Sequence, residues 1–180
     1  YKTLSIDIPN NPLGLWFHLA EGPMTLTPVP GHGELDGMFK GVHHITYVVE
    51  DITATEAYML SAFGMEVEKY QEQPELEERL GFKIAFYTVG STILDFFQPV
   101  KEGTPVDKFL KSNGPGVLHV GWEVNDIESI VKEFVTKGVD ARQKDCAADS
   151  PQGYKTLSID IPNNPLGLWF HLAEGPITLR

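Results

Sequence analysis

Four residues stand out for the chemistry they could do together. His44 and His119 lie near the start of two runs rich in β-branched and aromatic residues, VHHITYVVEDI at 42–52 and VLHVGWEVNDI at 117–127. Asp95 and His171 lie in two later runs of the same kind, TILDFF and LGLWFHL. The spacing repeats, with 75 residues from His44 to His119 and 76 from Asp95 to His171. Three imidazoles and one carboxylate are a donor set suited to a divalent metal ion such as Zn, Fe, Co, Mn or Ni. A lone strand histidine is more often hydrogen-bonded or at the surface than a ligand. The matched placement in two similar stretches makes these four a candidate metal site.

The elements that would position them follow from periodicity. Each of the two runs alternates as a strand and is followed by Asp-Ile and an amphipathic helical stretch, 53–63 ending at Gly64 and 127–137 ending at Gly138. Strand-like runs come next: MEVEKY, FKIAFYTV and TILDFF in the first half, and VDARQK, YKTLSIDI and LGLWFHL in the second. The chain is therefore expected to be α+β, with two βαβββ modules forming a curled, open mixed sheet around the metal site. Strand alternation puts Ile45, Tyr47 and Val49 on one face and His44, Thr46 and Val48 on the other. It likewise separates Val120, Trp122 and Val124 from His119, Gly121 and Glu123. The larger apolar faces suit packing against helices, leaving His44 and His119 on the opposite face.

A second repeat has a different character. YKTLSIDIPNNPLGLWFHLAEGP occupies 1–23 and returns unchanged at 154–176. Met38 resembles an original start, and TPVPGHGELDG at 27–37 reads as a Pro/Gly linker. Residues 1–37 are accordingly expected to be a copy of the C-terminal hairpin plus a connector, and 38–180 the functional domain, with modules at about 38–100 and 113–176. His18 is then the twin of His171 and its alternative as a ligand. The extra copy has three possible fates: competing for the last-strand slot, pairing with an exposed edge, or completing a neighbouring subunit by strand exchange. The shorter connection favours the C-terminal copy weakly.

Bulk properties narrow the class. The chain has 180 residues and a net charge of −11, which disfavours nucleic acid and anionic membranes as partners. No apolar run approaches the length of a spanning helix, and the N-terminus lacks a secretory pattern. Cys146 is the single cysteine, so a reducing, cytoplasmic setting is expected. A small-molecule substrate and a homodimer are the expected partners.

Two strand–helix–three-strand units, each with a histidine in its first strand, resemble the vicinal oxygen chelate superfamily of glyoxalases, bleomycin-resistance proteins and dioxygenases. GTPVDKFLKSNGPGVLHVGWEVNDI at 103–127 and GFKIAFYTVGSTILDFFQP at 81–99 are most similar to methylmalonyl-CoA epimerase-like members. The resemblance implies metal ligands from the first and last strand of each module, at His44, Asp95, His119 and His171. Asp95 falls where epimerases have Glu or Gln, and His171 where the family most often has Glu. The resemblance also implies a base in the loop PELEERLGFK, where Arg79 aligns and Glu78 is adjacent. The implied activity is a divalent-metal-dependent epimerase or isomerase that stabilises an enolate of a small carbonyl or acyl-CoA substrate. An Fe(II) dioxygenase and a non-catalytic ligand-binding or resistance protein are the alternatives.

Other groups have plainer readings. His43 faces the helix side by alternation and is expected to be structural. His32 belongs to the linker. Glu123 is expected to be an ordinary exposed carboxylate, and QEQPELEER a solvated loop. Tyr154, Thr156 and Ser158 share a face and could line the pocket.

Overall fold

The structure is a computed structural model and describes residues 2–6, 11–13, 17–22, 36–68, 74–138, 142–144, 155–160, 165 and 169–175. Two strands open the chain, β1 (Lys2–Ile6) and β2 (Phe17–Glu21). A short 3₁₀ turn, Asp36–Met38, leads into β3 (Phe39–Val48), α1 (Ile52–Phe63), α2 (Pro74–Leu80), β4 (Phe82–Val89) and β5 (Thr92–Pro99). Then follow α3 (Pro105–Asn113), β6 (Gly116–Val124), α4 (Ile127–Thr136), β7 (Arg142–Lys144), β8 (Lys155–Asp160) and β9 (Trp169–Glu174). Among the described residues, β1 and β2 form a separate two-stranded sheet, and the other seven strands form one mixed sheet in the order β4-β5-β3-β6-β9-β8-β7.

The fold is α+β with a curled, unclosed sheet. Its centre is the antiparallel pair β3–β6. Outward from that pair, β5 runs parallel to β3 with β4 antiparallel to β5. On the other side β9 runs parallel to β6, with β8 antiparallel to β9. Matching devices start the two helices that follow the central strands. Asp51 caps α1 by accepting from the Thr53 and Ala54 N–H groups, and Asp126 caps α4 by accepting from Ser129 N–H. The first helical N–H is taken from the end of a neighbouring strand in both cases, Ile52 by Gln98 Oε1 at 3.1 Å and Ile127 by Glu174 Oε2 at 3.0 Å. Gly64, at φ 67°, ends α1 in the left-handed conformation.

Two apolar clusters lie between helices and sheet. Val49, Ile52, Met59, Ala85, Tyr87 and Phe96 pack under α1, and Val124, Ile127, Ile130, Leu157, Ile159 and Leu172 under α4. The alternation expected for Tyr47, Val49, Trp122 and Val124 holds there. A third cluster joins Val48, Val106 and Leu118 beneath α3, a helix that sequence periodicity missed.

Two expectations change. MEVEKY was expected to be a strand, but its described part, 65–68, contributes a single ladder-like bond from Glu68 N–H to Phe86 O at 2.9 Å. The first half therefore shows three strands among the described residues against four in the second. PELEER is helix α2 rather than loop: its Pro/Glu-rich composition suggested a solvated turn, yet its residues other than Pro are strong helix formers. The duplicated hairpin β1–β2 stands apart from the large sheet, whose slot beside β6 holds the C-terminal copy. Leu13 from the front segment is nonetheless buried in the α1 cluster. His32, Cys146 and Tyr154 lie outside the described residues. No helix among the described residues is long and apolar enough to cross a membrane.

Ile130 is fully buried under α4, whereas Val135 on the same helix is 69% exposed. Ile130→Ala is expected to cost about 2–5 kcal/mol in urea unfolding, and Val135→Ala under about 0.5 kcal/mol. Equal losses would contradict this packing of α4.

Candidate metal centre

Two neighbouring rungs of the sheet build the site. On one, Thr46 of β3 lies between Asp95 of β5 and His119 of β6. On the other, two residues along each strand, His44 is opposite Gly121, Gly121 opposite His171, and His171 opposite Ser158. Residues two apart in a strand share a face, so the two rungs present their side chains together. The side chains connect as the register dictates. Thr46 Oγ1 donates to Asp95 Oδ1 at 2.9 Å and lies 2.7 Å from His119 Nε2. Ser158 Oγ lies 2.8 Å from His171 Nε2.

Gly121 is a necessary gap. The His44 ring occupies the space where any side chain at 121 would begin. Lying across that gap, His44 places its Nε2 3.1 Å from His119 Nε2, with its ring centroid 5.6 Å from that of His171. The His119 and His171 rings stack at 3.6 Å. One ligand nitrogen from each of His44, His119 and His171 fits within a 4.8 Å group. Phe97, from the cluster beneath α3, meets His119 edge-on at 6.3 Å.

Burial sets the charge state. His44 and His119 are held well below the ordinary imidazole range, chiefly by desolvation and then by neighbouring imidazoles. Desolvation brings His171 to about 4. The same desolvation pushes Asp95 up to about 8, against the opposing hydrogen bond from Thr46. Near neutral pH the cluster thus holds three uncharged imidazoles and a carboxyl group that keeps its proton. Uncharged imidazole is the form that ligates a metal.

The donor set fits a cation. Two imidazole nitrogens 3.1 Å apart repel unless a proton or a cation lies between them. His119 Nδ1 is buried and has no hydrogen-bond partner among the described residues. Such an atom costs about 1–3 kcal/mol if left unsatisfied.

The four residues expected to ligate do not all converge. His44, His119 and His171 come together, while Asp95 stands outside their group, one hydrogen bond away behind Thr46. The rung register explains this, because Thr46 fills the position between Asp95 and His119. His18 lies in β2, in the separate sheet, and its side chain is outside the described residues. Glu78 is exposed on α2. Glu123 pairs with Lys40 at 3.6 Å. His43 is fully buried with its Nδ1 2.9 Å from His44 Nδ1, so it braces a site residue. A register shift between Val42 and His44 breaks the simple alternation there. Thr46 and Gly121 are the participants that sequence reasoning placed on the right face without giving them a role.

A second concavity lies on the helix side of the sheet. It is an apolar cavity of 290 Å³ lined by Phe39, Trp122, Phe134, Ile159, Phe170 and Leu172. Its lack of polar lining separates it from the histidine cluster.

Residues 43–154 match the family model of the Glyoxalase/Bleomycin resistance protein/Dioxygenase superfamily, and the chain belongs to that superfamily. Within it, the chain is 31% identical over 91 residues to the ethylmalonyl-CoA/methylmalonyl-CoA epimerase of Cereibacter sphaeroides, covering 50% of this chain and 65% of the relative. It is 27% identical over 116 residues to the mitochondrial methylmalonyl-CoA epimerase of Bos taurus, covering 64% of this chain and 63% of the relative. The chain thus spans a little under two thirds of the length of these relatives. The crystal structure of methylmalonyl-CoA epimerase from Mycobacterium tuberculosis superposes with a TM-score of 0.64 at 19% identity, covering 76% of this chain and 89% of that one, a likeness of fold.

The titrations predict a stability maximum. Asp95, raised to about 8 in the fold, stabilises fully below its unfolded value of 3.8, and this contribution is lost as pH rises towards 8. The three imidazoles, lowered in the fold, contribute fully above 6.5, and this is lost as pH falls below 6.5. Each group changes stability by about 1.4 kcal/mol per pH unit within its window. Three histidines outweigh one aspartate on the acid side, so metal-free protein is most stable near pH 6.5. Urea unfolding from pH 5 to 9 checks this, and Asp95→Asn is expected to flatten the alkaline limb. A profile rising steadily to pH 9 would contradict the assignment.

Proposed function

We propose that the chain is a divalent-metal-dependent epimerase or isomerase acting on a small carbonyl or acyl-CoA substrate. The observation that carries this reading is the convergence of His44, His119 and His171 from three adjacent strands. Superfamily membership and the acyl-CoA epimerases among the relatives support it. His44, His119 and His171 hold the cation. When bound, the cation supplies Lewis-acid stabilisation of negative charge on a substrate oxygen. The chain's own groups do the rest. Asp95 keeps a proton in a dry pocket and, through Thr46, fixes the orientation of His119. Ser158 does the same for His171. His43 backs the His44 ring from behind. Glu78, an exposed carboxylate on α2, is the base proposed to take the substrate proton.

A donor group of three imidazoles, with the carboxylate displaced behind Thr46, departs from the two-histidine, one-carboxylate set of Fe(II) oxygenases. This favours proton transfer over oxygen chemistry.

Elemental analysis and solvent-deuterium exchange test the reading together. The parent protein is expected to retain about one divalent ion per chain. His44→Ala and His119→Ala are each expected to lose most of it and to bring exchange into an acyl-CoA substrate down to background. Glu78→Gln should keep the metal and slow exchange by about 10²- to 10⁴-fold. Bound iron with oxygen uptake and no exchange would instead indicate a dioxygenase. Metal-free protein that still binds ligand after His44→Ala would indicate a non-catalytic binding protein.

A further inference from the structure

The two identical segments adopt the same hairpin in different surroundings. β1–β2 repeats β8–β9 rung for rung: Lys2 faces Glu21 as Lys155 faces Glu174, and Ser5 faces His18 as Ser158 faces His171. Their burial is opposite. Leu157 and Leu172 are 3% and 1% exposed under α4, while their twins Leu4 and Leu19 are 62% and 54% exposed. The front hairpin therefore shows to solvent two of the leucines that the slot beside β6 is shaped to bury.

That slot is within reach of the front of the chain. β9 ends at Glu174, opposite Val124 of β6, and Val124 is paired on its other side with Phe39, the first residue of β3. The exit of the slot is thus about 10 Å from the entrance to β3, two strand spacings away. Residues 22–35 join β2 to the turn before β3, a length that could span up to roughly 50 Å. A hairpin entering from the front would therefore need no second molecule. It would offer β6 and β7 the same partners, because Ser158, Ile159 and Asp160, which face β7, recur as Ser5, Ile6 and Asp7. Glu21 would stand in for Glu174 at the Ile127 N–H.

We propose that β1–β2 exchanges with β8–β9 for the slot beside β6 of the same chain, bringing His18 to the place now held by His171. The contacts within the slot are identical for both copies, so elements outside it set the balance. Leu13, buried with Val49, Met59 and Phe96, anchors the front segment where it lies and favours the arrangement described here. The connection lengths differ too little to lock either state. One sheet position can thus be completed by either copy of the segment. The inference does not depend on the proposed activity.

A test on the full chain marks each copy in turn. Leu172→Asp disables the C-terminal copy, Leu19→Asp the front copy, and the double variant both. Exchange predicts that Leu172→Asp remains a folded monomer with a Tm within about 10 °C of the parent. Leu19→Asp should be close to the parent, and the double variant should lose its cooperative transition. Equal collapse of Leu172→Asp and the double variant would overturn the proposal. So would a Leu172→Asp protein that folds only as a dimer, since a second copy would then be filling the slot. A trapping experiment avoids the folding question. In a Cys146→Ser background, Glu123→Cys with Ala20→Cys should accumulate a monomeric 20–123 crosslink on oxidation, because Ala20 is the twin of Ala173, which faces Glu123. Glu123→Cys with Ala173→Cys is the control, and crosslinking in the control alone overturns the exchange.

Discussion

The register between β3 and β6 is the constraint on which the site rests. It puts His44 across from Gly121 and Thr46 across from His119. A slip of one residue would turn every side chain of one strand to the opposite face, sending His44 under the helices and an apolar residue into its place. Both central strands are pinned against such a slip by the clusters under α1 and α4. β3 and β6 pair with each other and with the parallel strands β5 and β9, so a shift would also displace Asp95 and His171. The packing of the helix side thus fixes the chemistry of the opposite side.

The cluster itself is electrostatically costly. Three imidazoles and a carboxyl group are withdrawn from water, and each takes its neutral form because charge is poorly solvated there. Hydrogen bonds through Thr46 and Ser158 recover part of this, yet among the described residues His119 Nδ1 has no partner. Buried titratable groups held this far from their ordinary ranges in one cluster are characteristic of binding sites.

The duplicated segment shows how little a local sequence decides about burial. The hairpin forms in both copies because its cross-strand pairs are internal to it. Whether its leucines are covered depends on a neighbour, and among the described strands β6 offers a side to one copy at a time. The front copy keeps the hairpin and gains a different anchor in Leu13.

Much of the fold was legible in the chain itself. Alternation marked β3, β4, β5, β6, β8 and β9. The Asp-Ile steps at 51–52 and 126–127 marked the starts of α1 and α4, because a cap and a buried first residue are local features. The short helices α2 and α3 were less visible, since one or two turns give too few residues to show a period. Sequence could pair His44 with His119 and Asp95 with His171 by spacing, because each pair lies in similar strand-like runs. It could not decide that Asp95 would be screened by Thr46, that His43 would lie against His44 across a register shift, or that Gly121 would make room for an imidazole. Those outcomes belong to distances between strands far apart in the chain, and only the packed sheet fixes them.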